Sequence, residues 1–245
     1  MSFRMLSTMQ IAANLSPPIT SDFDLISRLL PTRGTRLLEL GCGAAFTTRM
    51  LAESLPVKEI IAMEVDEIQH QKNLLIPDLP NVTFAFGGAE SIDLPDASVD
   101  AVIMLKSLHH VPLTALDAAL AEIARVLRPS GLAYISEPVY DGDFNAILRL
   151  FNDEKVVRQA AFDAVRRAVD TGLFELADEI HFGSVSRFNG FAEFESRILG
   201  ATHSTFDVDE ALHARVRAAF MPHVTRDGIA EFVNPMRVDL LRKPA

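Results

Sequence analysis

An acidic residue and a pair of glycines at the end of an apolar run are the residues best suited to chemistry. They follow one another as Glu39, Leu40, Gly41, Cys42 and Gly43. Glycine is used where the backbone must turn sharply or approach a ligand without a Cβ in the way. An amphipathic stretch, residues 47–55, begins just beyond the turn, and the first N–H groups of a helix lack intrahelical partners. The pattern is typical of a strand, a tight turn and a helix that together form a cofactor-binding loop.

The residues around the turn indicate which kind of cofactor it suits. Dinucleotide-binding loops use a third glycine, three residues after the second, to pack strand and helix around a pyrophosphate. Phe46 stands at that position, and Ala45 precedes it. The Glu39 carboxylate would repel a phosphate but attract an ammonium group. The loop therefore favours a cationic cofactor over a polyphosphorylated one.

A second acid, Glu64, ends the next apolar run. An acid at this point can accept hydrogen bonds from both ribose hydroxyls of an adenosine. We prefer Glu64 to Asp66, because Asp66 is equally well explained as a helix N-cap. The segment Gly88, Ala89 and Glu90 follows the third apolar run, where a loop can close on an adenine ring.

Two histidines, His109 and His110, follow the fourth apolar run. Ligands in open α/β sheets bind outside the carboxyl ends of the strands, and histidine is the natural base near neutral pH. His110 is our first candidate for a general base and His109 the second. A structural role for both histidines is the competing interpretation.

Other polar residues lie at the ends of the fourth and fifth runs. Glu137 could orient a substrate hydroxyl or amine, or merely cap its strand. Lys106 beside a cationic cofactor is unfavourable unless it meets an anionic substrate or Glu39, so we expect it to contact substrate. Ser107 and Tyr140 are further candidates at the same edge.

These residues must be positioned by an alternating series of strands and helices. The hydrophobic pattern predicts strands at 36–40, 59–64, 82–86, 99–105 and 132–136, and helices at 23–30, 47–55, 66–75 and 113–127. Such alternation is typical of a doubly wound α/β sheet. A short helix is also expected within residues 5–15.

The pattern changes after Pro138. It predicts helices at 144–171, 191–199 and 209–220, a strand at 205–208 and a last strand at 231–241. Within the first of these helices, Phe144, Ile147, Leu148 and Phe151 form an apolar stripe, which is better explained by core packing than by substrate contact. His181, Phe182 and Arg187 are expected in a loop that could enter the pocket, while Phe23 and Met9 could close its other side.

Composition excludes several classes of function. The net charge of −10 opposes binding to a phosphate backbone, so nucleic acid is an unsuitable partner. The single cysteine, Cys42, rules out an internal disulfide and fits a reducing compartment. We find no signal peptide and no membrane span, and expect a cytoplasmic protein. The seven histidines show no metal-ligand spacing, so no metal site is expected.

Several motifs together resemble the class I S-adenosylmethionine-dependent methyltransferases, in particular the small-molecule branch similar to the ubiquinone/menaquinone-biosynthesis type. Each motif is weak alone, but their order and spacing are those of the family. The resemblance is close over residues 37–138 and loose over the last strand. It rests on Glu39 to Gly43, Glu64, Gly87 to Glu90 with Leu94-Pro95, Ser98 to Asp100, Leu108 to Val111, and Arg125 to Gly131.

The resemblance implies a Rossmann-like, doubly wound seven-stranded sheet, with the last strand antiparallel and a helical lid inserted after the fifth strand. It implies S-adenosyl-L-methionine as the cofactor, with Gly41 and Gly43 flanking its methionine part and Glu64 holding its ribose. Ala89 and Glu90 would lie beside the adenine. The cofactor-binding set implied is Glu39, Gly41, Cys42, Gly43, Glu64, Val65, Gly88, Ala89, Glu90 and Leu105.

Two positions depart from the family pattern. Ala45 stands where a glycine is usual, which tightens the loop. Gly88 stands where an aspartate that bonds the adenine amino group is common, so Glu90 or a backbone group must replace that carboxylate. The family also often carries Leu-His-His whatever its substrate, which supports the structural interpretation of His109 and His110.

The expected function is methyl transfer from S-adenosylmethionine to an O, N, C or S atom of a small organic acceptor. His110, Glu137 and Lys106 are the candidate catalytic residues. One alternative is a non-catalytic, methyltransferase-like subunit that binds cofactor or a partner. The other is an NAD(P)-dependent oxidoreductase, although Phe46 and Glu39 argue against it. We expect a single domain over 1–245, comprising N-terminal helices (1–34), a cofactor-binding core (35–140), a helical lid (141–190) and a C-terminal part (191–245). A homodimer is left open.

Overall fold

The computed structural model describes residues 9–13, 17–200 and 207–245. Seven strands form one sheet in the order β3-β2-β1-β4-β5-β7-β6, and β7 is antiparallel to both of its neighbours. This confirms the predicted doubly wound sheet with an antiparallel last strand. The strands are β1 (Arg36–Leu40), β2 (Glu59–Glu64), β3 (Val82–Phe86), β4 (Val99–Leu105), β5 (Leu127–Pro138), β6 (Glu175–Phe188) and β7 (Ala230–Arg242).

Helices cover both faces of the sheet. Ser21, Asp66 and Asp209 cap three of them by accepting backbone N–H bonds through their side chains. A 3-10 turn, Leu108–His110, follows β4, and a π-helical turn, Glu195–Leu199, follows α7. The α-helices are α1 (Asp22–Leu29), α2 (Phe46–Ser54), α3 (Glu67–Asn73), α4 (Leu116–Val126), α5 (Asp143–Leu148), α6 (Lys155–Asp170), α7 (Gly190–Phe194) and α8 (Glu210–Phe220).

Three apolar clusters hold these elements together. One packs α4 and α6 on the sheet, a second packs α1 and α2 on the opposite face, and Met9 and Phe23 lie against the first and second respectively. The third cluster joins α5, α7 and α8 to the end of β6 and the start of β7. Its centre is aromatic, with Phe188, Phe194 and Phe220 buried against one another. Phe144, Ile147 and Phe151 of the predicted stripe belong to this cluster, as expected for core packing, whereas Leu148 is not among its residues.

The segment after β5 differs from the sequence prediction in two ways. The helix predicted at 144–171 is two helices, α5 and α6, separated at residues 149–154. The loop predicted to hold His181, Phe182 and Arg187 is part of β6, so that prediction is wrong. Phe182 is buried in the sheet core, and Arg187 pairs with Glu231 on β7. A register shift between Leu176 and Asp178 interrupts the alternation that would have indicated a strand.

Smaller differences lie at the ends of elements. β5 is longer than the predicted strand at 132–136, and α4 is shorter than the predicted helix at 113–127 at both ends. Most of the helix expected within residues 5–15 lies outside the described residues, and the part described, 9–13, is not helical. The strand suggested at 205–208 begins outside them, and residues 207 and 208 are not in a strand. No helix in the described ranges is long and apolar enough to cross a membrane.

Candidate functional site

The glycine turn after β1 has the backbone conformation that its sequence predicts. Gly41 has φ +77° and Gly43 has φ +53°, both in the left-handed region that glycine tolerates. A Cβ on Gly41 would lie 2.7 Å from Cβ of Ser107, so close packing also demands glycine there. The N–H groups of Gly41 and Cys42 both donate to the Met63 carbonyl oxygen, at 2.9 and 3.0 Å. The turn is therefore fixed against the end of β2.

Ala45 has a left-handed backbone conformation, which a glycine would adopt without strain. Its φ is +59°, and it precedes α2 without capping the helix through its side chain. A left-handed conformation costs a residue with a Cβ about 1–2 kcal/mol. The loop thus keeps its shape despite the alanine, at an energetic cost.

We therefore expect Ala45→Gly to raise the free energy of unfolding by about 0.5–1 kcal/mol, because relief of the left-handed strain outweighs the greater freedom of glycine in the unfolded chain. Urea denaturation followed by circular dichroism measures the change. Ala44→Gly is the matched control, since Ala44 is exposed and is not among the residues with positive φ. Equal or lower stability of Ala45→Gly relative to the wild type would contradict the strain.

Asn73, on α3, holds the glycine turn from the other side. Its side chain is buried, and Nδ2 donates to the Gly43 carbonyl oxygen at 2.8 Å and lies 3.5 Å from Sγ of Cys42. Burial, with the nearby Glu39 and Glu64 charges, raises the pKa of the Cys42 thiol. Sequence reasoning missed Asn73, because its partners lie 30 residues earlier in the chain; a polar residue on the buried face of a short helix is the only local signal.

Glu64 closes the turn at its open edge. Its carboxylate is buried and accepts three backbone bonds, from Gly43 N at 2.7 Å and from Val65 N and Asp66 N, each at 2.9 Å. Asp66 instead caps α3 by accepting from Ile68 N and Gln69 N, so it is the N-cap that its position allowed. The carboxylate at the end of β2 is thus held rigidly beside the glycine turn.

Glu39 lies beneath the same turn. It is 2% exposed, and Thr48 Oγ1 donates a hydrogen bond to its Oε2 at 2.6 Å. Burial raises the pKa of Glu39 to about 7; the Thr48 hydrogen bond opposes this shift, and the Glu64 charge adds to it. A buried carboxylate of this kind gains from a cation placed nearby.

A third carboxylate lies at the loop after β3. A Cβ added to Gly88 would lie 2.5 Å from Oε2 of Glu90 and 2.7 Å from its Oε1. The Glu90 carboxylate therefore occupies the space where a side chain at position 88 would begin. Ala89, between them, is buried against the sheet core, whereas Val65, after β2, is exposed.

The end of β4 connects the glycine turn with a neighbouring cavity. Lys106 has φ +56°, and its N–H donates to the Ser136 carbonyl oxygen at 2.7 Å. Ser107 Oγ donates to the Leu40 carbonyl oxygen at 2.8 Å, which joins this segment to the end of β1. A non-glycine residue held with positive φ is often found at a functional site. Leu105, the last residue of β4, is half-buried just before it.

His109 and Glu137 form a buried pair at the base of that cavity. His109 Nδ1 is in hydrogen-bond contact with Glu137 Oε2, while Glu137 Oε1 accepts from Leu108 N at 2.9 Å. Burial alone would lower the pKa of His109, but the charge and hydrogen bond of Glu137 outweigh it and raise the pKa above its ordinary value. His110 is exposed, and its ring centroid lies 4.2 Å from that of His109.

The cavity itself has a volume of about 350 Å³ and lies at the carboxyl ends of β4 and β5. Lys106, His109 and His110 line one side, so three of the residues predicted at this edge meet there. Phe144 and Leu148 contribute an apolar wall from α5, and Asn234 a polar wall from β7. Glu137 reaches the cavity only through His109, and Tyr140 turns away to bond Asp153 at 2.8 Å.

The sequence is similar to proteins of one family. Residues 38–135 match the model of a methyltransferase domain. An uncharacterized methyltransferase of Mycobacterium tuberculosis is 38% identical over 109 residues, which are 44% of this chain and 42% of that protein. The 27-O-demethylrifamycin SV methyltransferase of Amycolatopsis mediterranei is 33% identical over 127 residues, 49% of this chain and 45% of that protein. The chain thus spans less than half the length of these relatives.

A solved structure extends the similarity of the fold beyond that shared region. The YcgJ protein from Bacillus subtilis superposes with a TM-score of 0.60 at 19% identity, covering 91% of this chain and 98% of that chain. At such low identity the similarity concerns the fold alone.

Proposed function

We propose that this protein is a class I S-adenosylmethionine-dependent methyltransferase that transfers a methyl group to a small organic acceptor, because residues 38–135 match the model of a methyltransferase domain. The observation that carries the proposal is the glycine turn flanked by two buried carboxylates, Glu39 and Glu64. A Cβ added at Gly43 would meet nothing within 4 Å, so the turn has open space beside it, and the neighbouring carboxylates suit a cation and a ribose rather than phosphates.

Each part of the cofactor has residues suited to hold it. Glu39 would attract the ammonium group, and Glu64 would accept hydrogen bonds from the ribose hydroxyls. Glu90 would accept a hydrogen bond from the adenine amino group, in place of an aspartate at position 88. The position of the Glu90 carboxylate over Gly88 supports that replacement. Gly41, Cys42, Gly43, Val65, Ala89 and Leu105 complete the proposed binding set.

When bound, the cofactor supplies an electrophilic methyl group for an in-line displacement. The protein must then hold the acceptor atom in line, which can contribute ~7–11 kcal/mol of barrier lowering. The cavity lined by Lys106, His109 and His110 adjoins the turn through Ser107 and is the proposed acceptor pocket. Lys106 would contact an anionic or polar group of the acceptor.

The histidines would remove the proton of an acceptor hydroxyl or amine. His109 is oriented by Glu137, which is a positioning residue because it contacts His109 and not the cavity. His110 lies at the open side of the same pocket and is the second candidate base. A histidine fixed through Nδ1 presents Nε2 as the reactive nitrogen.

An acceptor oxygen is the finer proposal. The Amycolatopsis relative is named for methylation at an oxygen, and a buried histidine–glutamate pair suits deprotonation of a hydroxyl. The mixed wall of the cavity, apolar on α5 and polar on β7, suits a partly hydroxylated organic molecule.

Calorimetry with S-adenosylhomocysteine, followed by mass spectrometry of products from a panel of phenols, alcohols, amines and thiols, tests the proposal. We expect binding and a mass gain of one methyl group on at least one hydroxylated acceptor. Absence of binding at millimolar ligand would refute the proposal. Binding without any methylated product would favour a non-catalytic subunit.

Cofactor binding should depend on the ionisation of Glu39. Its pKa of about 7 in the free protein means that it is mostly protonated at pH 6 and mostly ionised at pH 8. An ammonium group binds the ionised form of Glu39, so binding lowers the pKa of Glu39. Below pH 7, part of the binding free energy goes into deprotonating Glu39, and the affinity is lower. We expect S-adenosylhomocysteine to bind about tenfold more tightly at pH 8 than at pH 6.

Calorimetry across this pH range measures the effect. The control is Glu39→Gln, which keeps the side chain's size and should bind weakly with a nearly flat pH profile. A wild-type affinity that falls as the pH rises would contradict this role of Glu39.

A further inference from the structure

We propose that His109, His110 and Glu154 bind a divalent transition-metal ion at the edge of the acceptor pocket. The sequence predicts no metal site, because its histidines lack the usual spacing. Folding nevertheless brings the start of α6 to the turn after β4, across more than forty residues of chain. Metal binding itself does not depend on the proposed methyl transfer.

The geometry of the three side chains suits a metal. One ligand atom from each lies within 4.8 Å of the others, and His109 Nε2 is 3.8 Å from Glu154 Oε2. A metal bonded to its ligands at about 2.1 Å holds them roughly 3.4 Å apart in tetrahedral geometry. Rotation of His110, the exposed member, can bring its own ligand atom closer, and the distance between His109 and Glu154 has to shorten by only about 0.4 Å.

The surroundings of His109 match those of a metal-ligating histidine. Such histidines almost always donate their second ring N–H to a carboxylate or carbonyl, which fixes the ring and raises its basicity. Glu137 provides this contact at Nδ1, with both side chains buried, and leaves Nε2 directed towards Glu154. A metal ion would take the place of a proton on Nε2.

Glu154 can serve a metal without losing its protein contacts. Arg158 donates to its Oε2, and Asn152 Nδ2 donates to its Oε1 at 2.8 Å. Oε2 accepts from both Nε and Nη2 of Arg158, whereas Oε1 accepts from Asn152 alone among the described residues, so a lone pair remains available on Oε1. Arg158 also bonds Asn145 Oδ1 at 3.0 Å, which anchors it on the far side.

Space for further ligands exists on both sides of the cluster. All three residues line the acceptor pocket and also a second cavity of about 360 Å³ bounded by Asp153 and Val157. Two imidazoles and one carboxylate favour Zn²⁺, Fe²⁺, Co²⁺ or Mn²⁺ over Mg²⁺ or Ca²⁺, and three protein ligands leave positions open. If the proposed function holds, an acceptor oxygen would occupy one of them; with metal bound, His109 would act as a ligand and not as the base, and the metal would lower the pKa of the acceptor hydroxyl.

The test is titration of the chelator-treated full chain with Zn²⁺ by calorimetry and with Co²⁺ by absorption spectroscopy, without cofactor. We expect the wild type to bind one equivalent of metal. His110→Ala should bind with at least about tenfold weaker affinity and give an altered Co²⁺ spectrum. His213→Ala is the matched control, because His213 is also surface-accessible and paired with a glutamate, Glu195. It should bind metal as the wild type does.

A second variant, Glu154→Gln, keeps the side chain's size and should also weaken binding by at least about tenfold. Unfolding curves for each variant establish that the fold is retained. Failure of the wild type to bind Zn²⁺, or His110→Ala binding with wild-type affinity, would overturn the proposal. Because S-adenosylhomocysteine binding is measured separately on the same samples, failure of the metal site is distinguishable from failure of the proposed function.

Discussion

Glu64→Ala is expected to weaken S-adenosylhomocysteine binding by about 100-fold, because a hydrogen bond to a charged group contributes roughly 1.5–3 kcal/mol. The substitution removes the carboxylate proposed to accept the ribose hydroxyls. It also frees the three backbone N–H groups of Gly43, Val65 and Asp66 that now hold this edge of the turn. Isothermal calorimetry at pH 8, where Glu39 is mostly ionised, measures the change.

The matched control is Glu67→Ala, three residues further along the chain. Glu67 is exposed at the start of α3 and belongs to no proposed binding set. It should leave the affinity within about twofold of wild type, as is usual for surface substitutions. An equal loss in both variants would mean that α3 as a whole, not the Glu64 carboxylate, governs binding.

Glu137→Gln is expected to lower the turnover number by about 100-fold or more while leaving S-adenosylhomocysteine affinity nearly unchanged, because oriented acid–base catalysis contributes about 10²–10⁴-fold. Glu137 receives hydrogen bonds from both Leu108 N and the His109 ring. An amide has one oxygen and one NH₂ group, so one of these two donors would face another donor. The imidazole would lose both its fixed orientation and the charge that raises its pKa.

Steady-state kinetics of Glu137→Gln, His109→Gln and the double variant separate a catalytic effect from a structural one. If Glu137 acts through His109, the two losses will not multiply, because one substitution already removes what the other would disturb. The pH–rate profile provides a second readout, since the acidic limb should change in both single variants. Multiplicative losses with an unchanged profile would contradict the positioning role.

The parts of the fold that depend on short-range sequence patterns were predicted to the residue. β2 and β4 begin and end where the apolar runs do, because parallel strands buried on both faces show no polar alternation to blur their ends. β6 was missed for the opposite reason. It lies at the edge of the sheet, is largely exposed along one face and has a register shift near its start.

The residues of the candidate site likewise divide into those that local sequence patterns place and those that they do not. Glu39, Gly41 and Gly43 lie on one continuous segment, so strand and turn patterns suffice to place them together. The pairing of Glu137 with His109 rather than His110 depends on how the 3-10 turn after β4 rotates the two rings. Asn73 and Glu154 reach the site from helices far along the chain, and no local pattern indicates such contacts.

The position of β7 between β5 and β6 has a consequence for the order in which a nascent chain can fold. Residues 36–138 contain the five parallel strands β1 to β5, which can pair as soon as they leave the ribosome. β6 is synthesised next, but β7 is its only neighbour among the seven strands, so it cannot join the sheet until residues 230–242 have been made. The cofactor loop is therefore complete during synthesis well before the β7 wall of the acceptor pocket exists.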